Sequence, residues 1–271
     1  MLSLFASPLG RHGEKVTKTG AWQIPTHFRY HLDNAYAMAI AKLVQGDDSN
    51  ATLLDVGAGK GLYVRYWRGY GLAAQGIEGA PNIERLTGGY IHEADLSAPL
   101  PECRRYDWVT CLEVAEHAPR TAELTLLSNL NCSARRGLII SWPPPGQYGT
   151  GHVNLRPKRY VLQLLKNFSW VPDSNATRFV SAQANMYWFK ENTLVMRRPD
   201  APPFAAPSAA VASPASHDAG ALQALRSAVV QMSVRLAEAE VRGSQADATE
   251  AELALSRISL YDVEHDRGTA S

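Results

Sequence analysis

The sequence predicts an α/β fold, a doubly wound sheet with helices on both faces. Two observations lead to this prediction. Between residues 30 and 198, short apolar segments typical of buried strands alternate with segments whose apolar residues recur at helical spacing. In addition, the first apolar segment, 52–56, runs directly into a turn with three alternate glycines, and a helical segment follows. A strand, a glycine turn and a helix in this order open many nucleotide-type sites.

The other elements are assigned from apolar spacing and from the residues that end each segment. The segment 108–112 is apolar almost throughout, as expected for a strand buried on both faces. Three consecutive prolines, 143–145, end the strand before them because proline lacks the N–H group. The predicted strands are 52–56, 73–78, 90–94, 108–112, 137–142, 168–171, 186–190 and 193–197. The predicted helices are 30–45, 61–70, 81–86, 120–131 and 157–167, and the pattern over 176–184 fits either a helix or a loop.

The segments that flank this domain, 30–198, have a different composition. Residues 1–29 carry glycines, prolines and scattered charge, and we interpret them as an N-terminal arm on the surface. Residues 199–220 are nearly all Ala, Pro and Ser, which is typical of a linker. Over 221–260, apolar residues are spaced by three and four for about two and a half heptads, which predicts an amphipathic helix. Self-association or partner binding as a short coiled coil, and a lone helix, both stay open, and 261–271 form a tail.

The overall composition excludes several classes of protein. Apolar residues make up 45% and charged residues 20%, which is ordinary for a globular protein. A formal net charge of +1 provides no general attraction to nucleic acid or to an anionic membrane. No segment approaches the roughly 18 apolar residues of a membrane span. Three cysteines without a Cys-x-x-Cys pair favour a reducing compartment over a disulfide framework, so we expect a cytoplasmic protein.

The glycine turn narrows the choice of ligand. A dinucleotide fingerprint requires Gly-x-Gly-x-x-Gly, but Leu62 follows Gly61, so a nicotinamide-dependent oxidoreductase is disfavoured. A phosphate loop requires Ser or Thr after Lys60, and glycine stands there instead. Asp55, just before the turn, would repel a pyrophosphate but attract an ammonium group. The turn therefore predicts a ligand with an amino-acid end.

The segment 55–61, Asp-Val-Gly-Ala-Gly-Lys-Gly, resembles the first motif of class I S-adenosylmethionine-dependent methyltransferases. Glu78, 23 residues after Asp55, stands where the family has the acid that accepts hydrogen bonds from both ribose hydroxyls. Asp95 and Leu96 stand at the family's adenine contact. The resemblance covers about residues 30–198 and implies a Rossmann-like seven-stranded mixed sheet and S-adenosylmethionine as cofactor. The cofactor-binding residues that it implies are Asp55, Gly57, Gly59, Gly61, Glu78, Asp95, Leu96 and Glu113.

A second segment, Glu-Val-Ala-Glu-His at 113–117, is similar to the Glu-x-x-Glu-His segment of a branch that includes ubiquinone-pathway O-methyltransferases. It also resembles the small-RNA 2′-O-methyltransferases, and in some of these relatives the acids and the histidine bind a divalent metal. The resemblance implies a site for Mg²⁺ or Mn²⁺ formed by Glu113, Glu116 and His117, with His152 as a candidate fourth ligand. The alternative is that Glu113 lines the methionine end of the donor and that His117 is a general base or caps a helix.

The glycine-rich loop 146–154 follows the predicted fifth strand, at the edge where open α/β sheets bind ligands. We expect a mobile lid whose Gln147, Tyr148, His152 and Asn154 contact a polar acceptor. His152 or His117 is the expected catalytic base, because an unperturbed histidine has a pKa near 6.5, and Glu113 is expected to assist. A structural turn with a surface histidine is an equal alternative.

These features predict an enzyme that transfers a methyl group from S-adenosylmethionine to a hydroxyl group. The loop 146–154 and the Leu-Arg-Pro after it resemble methyltransferases of glycan biosynthesis, so a sugar or a glycan-biosynthesis intermediate leads among the acceptors. A small metabolite and RNA stay open, although the absence of a Lys/Arg stripe disfavours RNA. The other class left open is a methyltransferase fold without catalysis that acts as an interaction module through 221–260.

Overall fold

A computed structural model describes residues 16–23, 31–201 and 204. Outside these residues lie 202–203 and 205–220 of the predicted linker, the amphipathic helix predicted over 221–260 and the tail after it. Their interpretation, and any self-association or partner binding through the helix, therefore stays a prediction.

The centre of the described chain is one seven-stranded sheet. Its strands are β1 (Thr52–Val56), β2 (Ala73–Glu78), β3 (His92–Glu93), β4 (Tyr106–Leu112), β5 (Ala134–Ser141), β6 (Val171–Pro172) and β7 (Thr193–Arg197). The order across the sheet is β3-β2-β1-β4-β5-β7-β6. Strands β1 to β5 pair in parallel, whereas β7 pairs antiparallel with both β5 and β6. The predicted doubly wound, seven-stranded mixed sheet is confirmed.

Seven α-helices of the described residues connect and cover these strands. They are α1 (Asn34–Asp47), α2 (Leu62–Gly69), α3 (Ile83–Leu86), α4 (Glu123–Ser133), α5 (Lys158–Asn167), α6 (Ser174–Gln183) and α7 (Tyr187–Asn192). The carboxylate of Asp33 caps α1 by accepting the Tyr36 N–H at 3.1 Å. The same carboxylate accepts the backbone N–H groups of Asn185 and Met186 at 2.6 and 2.8 Å, so it joins the turn before α7 to the start of α1.

The strand predicted over 186–190 is wrong, because this segment is the helix α7. Its consecutive aromatic residues have the composition of a buried strand, but only Phe189 is buried among them, and Tyr187 is 61% exposed. Phe189 stacks on Tyr36 of α1 with 4.4 Å between the ring centroids. One buried residue in three consecutive positions suits a helix better than a strand, and only the packing against α1 reveals which residue is buried.

Two apolar layers cover the two faces of the sheet. On β1, Leu53 packs into the layer formed with α1, α2, α6 and α7, and Leu54 and Val56 pack into the layer formed with α4 and α5. This alternation follows from the period of two in a strand. Because both faces are covered, the carboxyl ends of the parallel strands are left as the place for a ligand.

The cysteines differ from the prediction. Cys103 and Cys132, which are 29 residues apart in the sequence, form a disulfide, and Cys111 is buried and free. An odd count of cysteines does not show which residues meet when the loop after β3 folds back onto α4. The cytoplasmic location, which was argued from the cysteines, stays a prediction. Within the described ranges, no helix combines the length and the apolar character needed to cross a bilayer.

Candidate active site

A cavity of about 200 Å³ lies at the carboxyl ends of β1, β2 and β4. Five of the eight residues predicted to bind the donor line it, and these are Gly57, Glu78, Asp95, Leu96 and Glu113. The other three do not line the cavity and act around it: Asp55 lies at the base of the glycine turn, and Gly59 and Gly61 shape the turn itself.

The glycine turn needs glycine for two separate reasons. Gly57 has a φ of +81°, and a Cβ there would overlap the methyl groups of Val114. Gly61 has a φ of +76° as the residue that precedes α2, and its Cβ would lie 2.7 Å from Cδ1 of Ile91. The bare backbone of Gly57 therefore forms part of the cavity wall, where a ligand can approach it closely.

Glu78 is fixed by the same turn. Its Oε2 accepts the Gly59 N–H at 2.8 Å, and its Oε1 accepts the Ala80 N–H at 3.1 Å. Burial raises the pKa of Glu78, while the hydrogen bonds from Gly59, Ala80 and Gly79 oppose this shift. Each carboxylate oxygen keeps a further lone pair, so the side chain is held at the cavity wall ready to accept from a diol.

Asp55 is 4% exposed and lies next to Thr110 of the neighbouring strand. The Thr110 hydroxyl donates to its Oδ1 at 2.7 Å. Burial raises the pKa of Asp55 to about 7; the Thr110 hydrogen bond lowers it, and the charge of Glu78 raises it further. The carboxyl group therefore changes its charge near neutral pH.

The wall on the Asp95 side is a loop attached to α4. Asp95 accepts the N–H and the hydroxyl of Ser97 at 2.9 and 2.7 Å through its Oδ1. Asn129 of α4 donates to the carbonyl oxygens of Leu96 and Ala98 at 3.3 and 2.8 Å. Asn129 also accepts the Leu100 N–H at 3.1 Å, so one amide side chain holds residues 96–100 of the loop against α4.

Residues 16–23, part of the predicted surface arm, lie over the cavity. Thr19, Gly20 and Trp22 line it, and the Trp22 ring meets His117 edge-on with 5.3 Å between the centroids. Gly20 is buried, and a Cβ there would overlap the carbonyl oxygen of His117. Sequence reasoning missed this contribution because the segment has neither apolar periodicity nor a recognisable motif.

The segment 113–117 and the loop 146–154 bring three of the predicted metal ligands together. Ligand atoms of Glu116, His117 and His152 all lie within 4.8 Å of one another. Oε1 of Glu116 is 3.8 Å from Nε2 of His117 and 3.9 Å from Nε2 of His152. Glu116 is fully buried, and neither of its carboxylate oxygens has a hydrogen-bond partner among the described residues. Burial, and then the charge of Glu113, raise the pKa of Glu116 well above its ordinary value, because a buried carboxylate without a partner is costly. A cation bound beside it would stabilise the ionised form.

The orientation of the two histidines suits metal binding. Nδ1 of His117 lies 3.1 Å from the Gly151 carbonyl oxygen, and Nδ1 of His152 lies 3.2 Å from that of Gln147. A carbonyl oxygen only accepts, so each Nδ1 carries the proton and each Nε2 presents a lone pair toward Glu116. Burial, and then the neighbouring His152, lower the pKa of His117 to about 4, so this ring is neutral at pH 7. Burial also lowers the pKa of His152.

Glu113 lies outside this group of three and faces the donor cavity. Its φ of +56° is unusual for a residue with a side chain, and its N–H donates to Oγ of Ser141 at 2.8 Å. Burial raises the pKa of Glu113, and hydrogen bonds from Ser141 and Asn192 oppose this shift. Its Oε1 is buried and has no partner within the described part of the chain. Glu113 was predicted either to bind a metal or to line the donor site. The structure places it at the wall of the donor cavity and outside the group of Glu116, His117 and His152.

The expected acceptor contacts of the loop 146–154 are revised by the structure. The Asn154 side chain is fully buried and donates to Glu123 at 3.1 Å, so the prediction that it contacts an acceptor is wrong. Gln147 accepts a hydrogen bond from Asn192 at 3.0 Å through its side-chain oxygen. Tyr148 is 87% exposed. A polar residue in a glycine-rich loop looks accessible in the sequence, and only the packing shows that Asn154 points inward.

One protein family matches part of the chain. A family described as a methyltransferase domain matches residues 28–141, a range that contains the glycine turn and the segment 113–117. No curated protein sequence matches the chain significantly.

Solved structures similar to the chain include three methyltransferases. The magnesium protoporphyrin IX methyltransferase from Synechocystis, with bound S-adenosylmethionine, has 15% identity over 64% of this chain and 88% of its own, with a TM-score of 0.46. A sugar N-methyltransferase from Streptoalloteichus has 18% identity over 60% and 87%, with a TM-score of 0.48. An S-adenosylmethionine-dependent methyltransferase from Corynebacterium glutamicum has 14% identity over 59% and 86%, with a TM-score of 0.43.

Proposed function

We propose that this chain is a class I S-adenosylmethionine-dependent methyltransferase and that its acceptor is a hydroxyl group whose methylation is assisted by a divalent cation. S-Adenosylmethionine is the methyl donor. The single observation that supports the cation is the Glu116 carboxylate, which is fully buried, lacks any described hydrogen-bond partner and lies between two histidine Nε2 atoms.

The ligand atoms of the cluster favour a transition-metal cation over Mg²⁺. Mg²⁺ prefers oxygen ligands in an octahedral arrangement, whereas imidazole nitrogens suit transition metals. Glu116 supplies carboxylate oxygen, and His117 and His152 supply nitrogen. Of the two cations predicted from the sequence, Mn²⁺ therefore fits these residues better than Mg²⁺.

We assign the donor to the cavity by the chemistry of its walls. Glu78 accepts hydrogen bonds from the ribose hydroxyls, and the loop that contains Asp95 and Leu96 contacts the adenine. Asp55, in its ionised form, attracts the ammonium group of the donor from the base of the glycine turn. The Gly57 backbone allows the methionine portion to approach the strand ends.

In the transfer itself, the acceptor oxygen attacks the methyl carbon in line with the sulfur. The C–O bond forms, the C–S bond breaks, and its electron pair returns to sulfur as the sulfonium becomes a neutral thioether. When bound, a divalent cation supplies Lewis acidity that lowers the pKa of a hydroxyl group. The chain aligns the reactants and excludes water, which together supply much of the rate of such a transfer.

The hydroxyl proton needs an acceptor, and we assign this role to Glu113. Its unpartnered Oε1 belongs to a side chain at the cavity wall, and burial raises the pKa of this carboxyl group above its ordinary value, which makes it a stronger base. His117, with a pKa of about 4, is a weak base at neutral pH and serves better as a ligand. This assignment favours Glu113 over the histidines among the catalytic candidates.

A sugar or a glycan-biosynthesis intermediate remains the proposed acceptor. The carbonyl oxygen of Gln147 lies 3.2 Å from Nδ1 of His152, and Tyr148, the next residue, is exposed; an exposed polar loop next to the cluster supports an acceptor rich in hydroxyl groups. A net charge of +1 provides little attraction for a polyanion. A small metabolite or RNA as acceptor would be a different outcome of the same experiment.

The acceptor is tested by incubating the protein and tritiated S-adenosylmethionine with a cell extract, with and without EDTA, and fractionating the labelled product. We expect label in a sugar-containing fraction, loss of labelling with EDTA and recovery with Mn²⁺. Label in RNA would contradict the sugar, and labelling that resists EDTA would contradict the cation. Absence of S-adenosylmethionine binding in a calorimetric titration would contradict the enzyme assignment.

The cation site is tested by E116Q. Because this substitution removes the charge at the centre of the cluster, we expect Mn²⁺ binding, followed by electron paramagnetic resonance, to weaken by at least about 100-fold while S-adenosylmethionine still binds. E102Q is the matched control, since Glu102 is an exposed carboxylate that pairs with Arg104. Equal Mn²⁺ affinity in the two variants would rule out Glu116 as a ligand.

A further inference from the structure

We infer that Glu123 is a positioning residue for His152, so that it controls the affinity of the cluster for a divalent cation. This inference rests on the metal site proposed above. Glu123 neither lines the donor cavity nor belongs to the cluster of Glu116, His117 and His152. Its effect is therefore exerted through the backbone that carries His152.

The cluster is assembled from two segments that are 35 residues apart at His117 and His152. Two backbone hydrogen bonds join the segments. The N–H groups of Val153 and Asn154 both donate to the carbonyl oxygen of Glu116, at 2.8 and 2.9 Å. The position of His152 relative to Glu116 therefore depends on the position of the residues directly after it.

Asn154 is the junction that holds these residues in place. It is fully buried, and its carbonyl oxygen accepts the Trp142 indole N–H at 2.6 Å. Its side-chain Nδ2 donates to Oε2 of Glu123 at 3.1 Å and lies 3.4 Å from the Ala115 carbonyl oxygen. Asn154 thus connects the end of β5, the start of α4 and the segment that carries Glu116.

The Glu123 carboxylate accepts hydrogen bonds from three residues that follow His152 in the chain. Oε2 accepts from Nε of Arg156 at 2.6 Å as well as from Asn154, and Oε1 accepts the Tyr160 hydroxyl at 2.7 Å. Glu123 is 4% exposed, and the Arg156 guanidinium also lies over the Tyr160 ring, 4.6 Å from its centroid. Three residues after His152 are therefore attached to one buried carboxylate on α4.

Loss of this carboxylate would loosen His152 in a specific way. A glutamine at 123 presents N–H₂ to one set of donors, so either the Asn154 and Arg156 groups or the Tyr160 hydroxyl lose their acceptor. A buried donor without an acceptor favours displacement of the loop. Metal ligands must hold their distances within about 0.2 Å, and loss of supporting hydrogen bonds lowers metal affinity by about 10- to 100-fold.

The test measures Mn²⁺ affinity by electron paramagnetic resonance, S-adenosylmethionine affinity by calorimetry and thermal stability, in the full chain. We expect E123Q to bind Mn²⁺ about tenfold more weakly, with S-adenosylmethionine affinity within about twofold of the parent protein. The matched control is D173N, which removes the charge of another buried carboxylate, bound to Arg197 at 2.6 Å. Arg197 pairs with Gly137 near the opposite end of β5, so D173N should reduce stability without changing Mn²⁺ affinity.

Y160F provides a second, milder variant because it removes one donor to Glu123 and leaves the charge in place. We expect a smaller loss of Mn²⁺ affinity, about threefold, and this variant decides the question if E123Q does not fold. Unchanged Mn²⁺ affinity in E123Q, or in Y160F when E123Q is unfolded, would overturn the inference alone. A parent protein that binds no Mn²⁺ would overturn both the inference and the proposed metal site.

Discussion

Asp55 is the residue of the donor site whose charge depends most directly on pH near neutrality. Its pKa of about 7 results from burial, opposed by the hydrogen bond from Thr110. An unfolded chain has an aspartate pKa near 4, so the folded protein without a ligand binds this proton more tightly. Its stability contribution is therefore greatest at acidic pH and declines as the pH rises from about 4 to about 7.

From this follows a pH dependence of donor binding. If the ammonium group binds only the ionised form of Asp55, the affinity for S-adenosylmethionine should rise about tenfold between pH 6 and pH 8. Calorimetric titration across this range measures the effect. D55N serves as the reference, since it cannot ionise and reveals any dependence due to the donor's own amine. A slope that is the same in D55N would show that Asp55 is not the group responsible.

At the scale of elements, the loop after β3 is attached to α4 in two places with different expected roles. Asn129 makes three hydrogen bonds to Leu96, Ala98 and Leu100, in the part of the loop that forms the cavity wall. The disulfide joins Cys103 to Cys132 farther along the loop. The cavity wall should therefore depend on the amide more than on the covalent link.

N129A should weaken S-adenosylmethionine binding by about five- to tenfold, because the carbonyl and N–H groups of the loop lose their partner. The double variant C103S/C132S should keep the affinity within about twofold. Calorimetry on both variants checks the order of the effects. If the cysteine variant proves the weaker binder, the disulfide rather than Asn129 maintains the cavity wall.

At the scale of the whole molecule, the carboxyl ends of the parallel strands form the proposed ligand sites, whereas the opposite ends contain a buried ion-pair network. The carboxyl ends carry the donor cavity and the cluster, and the other end is closed by Arg197. This side chain is 3% exposed, donates to Asp47 at 2.7 Å and to Asp173 at 2.6 Å, and lies over the Trp108 ring. It thereby joins α1, β7 and the residue that caps α6.

Breaking this network should reduce stability and leave ligand binding intact. Removal of one partner of a buried ion pair costs about 3 kcal/mol, so D173N should lower the free energy of unfolding by about that amount. Denaturant titration measures this loss, and S-adenosylmethionine affinity should stay within about twofold. D200N is the control because Asp200 is exposed. A loss of donor affinity in D173N would show that the two ends of the sheet are coupled.

The sequence predicted correctly the features that depend on neighbouring residues, namely the bounds of several strands and the glycine turn. The predicted bounds of β1, β2 and β7 agree with the structure because apolar runs bounded by turn residues specify short buried strands. The glycine spacing and Asp55 identified the donor turn, since backbone conformation and charge at that point depend on the residues there. α7 was assigned wrongly because three aromatic residues in a row do not show which of them is buried.

The sequence by itself determined the fold class, the donor turn and the residue types available to bind a cation. Only the tertiary structure decided that Trp22 covers the cavity, that Cys103 meets Cys132, and that Glu116, His117 and His152 converge while Glu113 faces the donor. It likewise decided that Asn154 is a buried junction to Glu123 rather than a contact for the acceptor. The physical reason is distance along the chain: these contacts join residues that no local spacing relates, and packing brings them together.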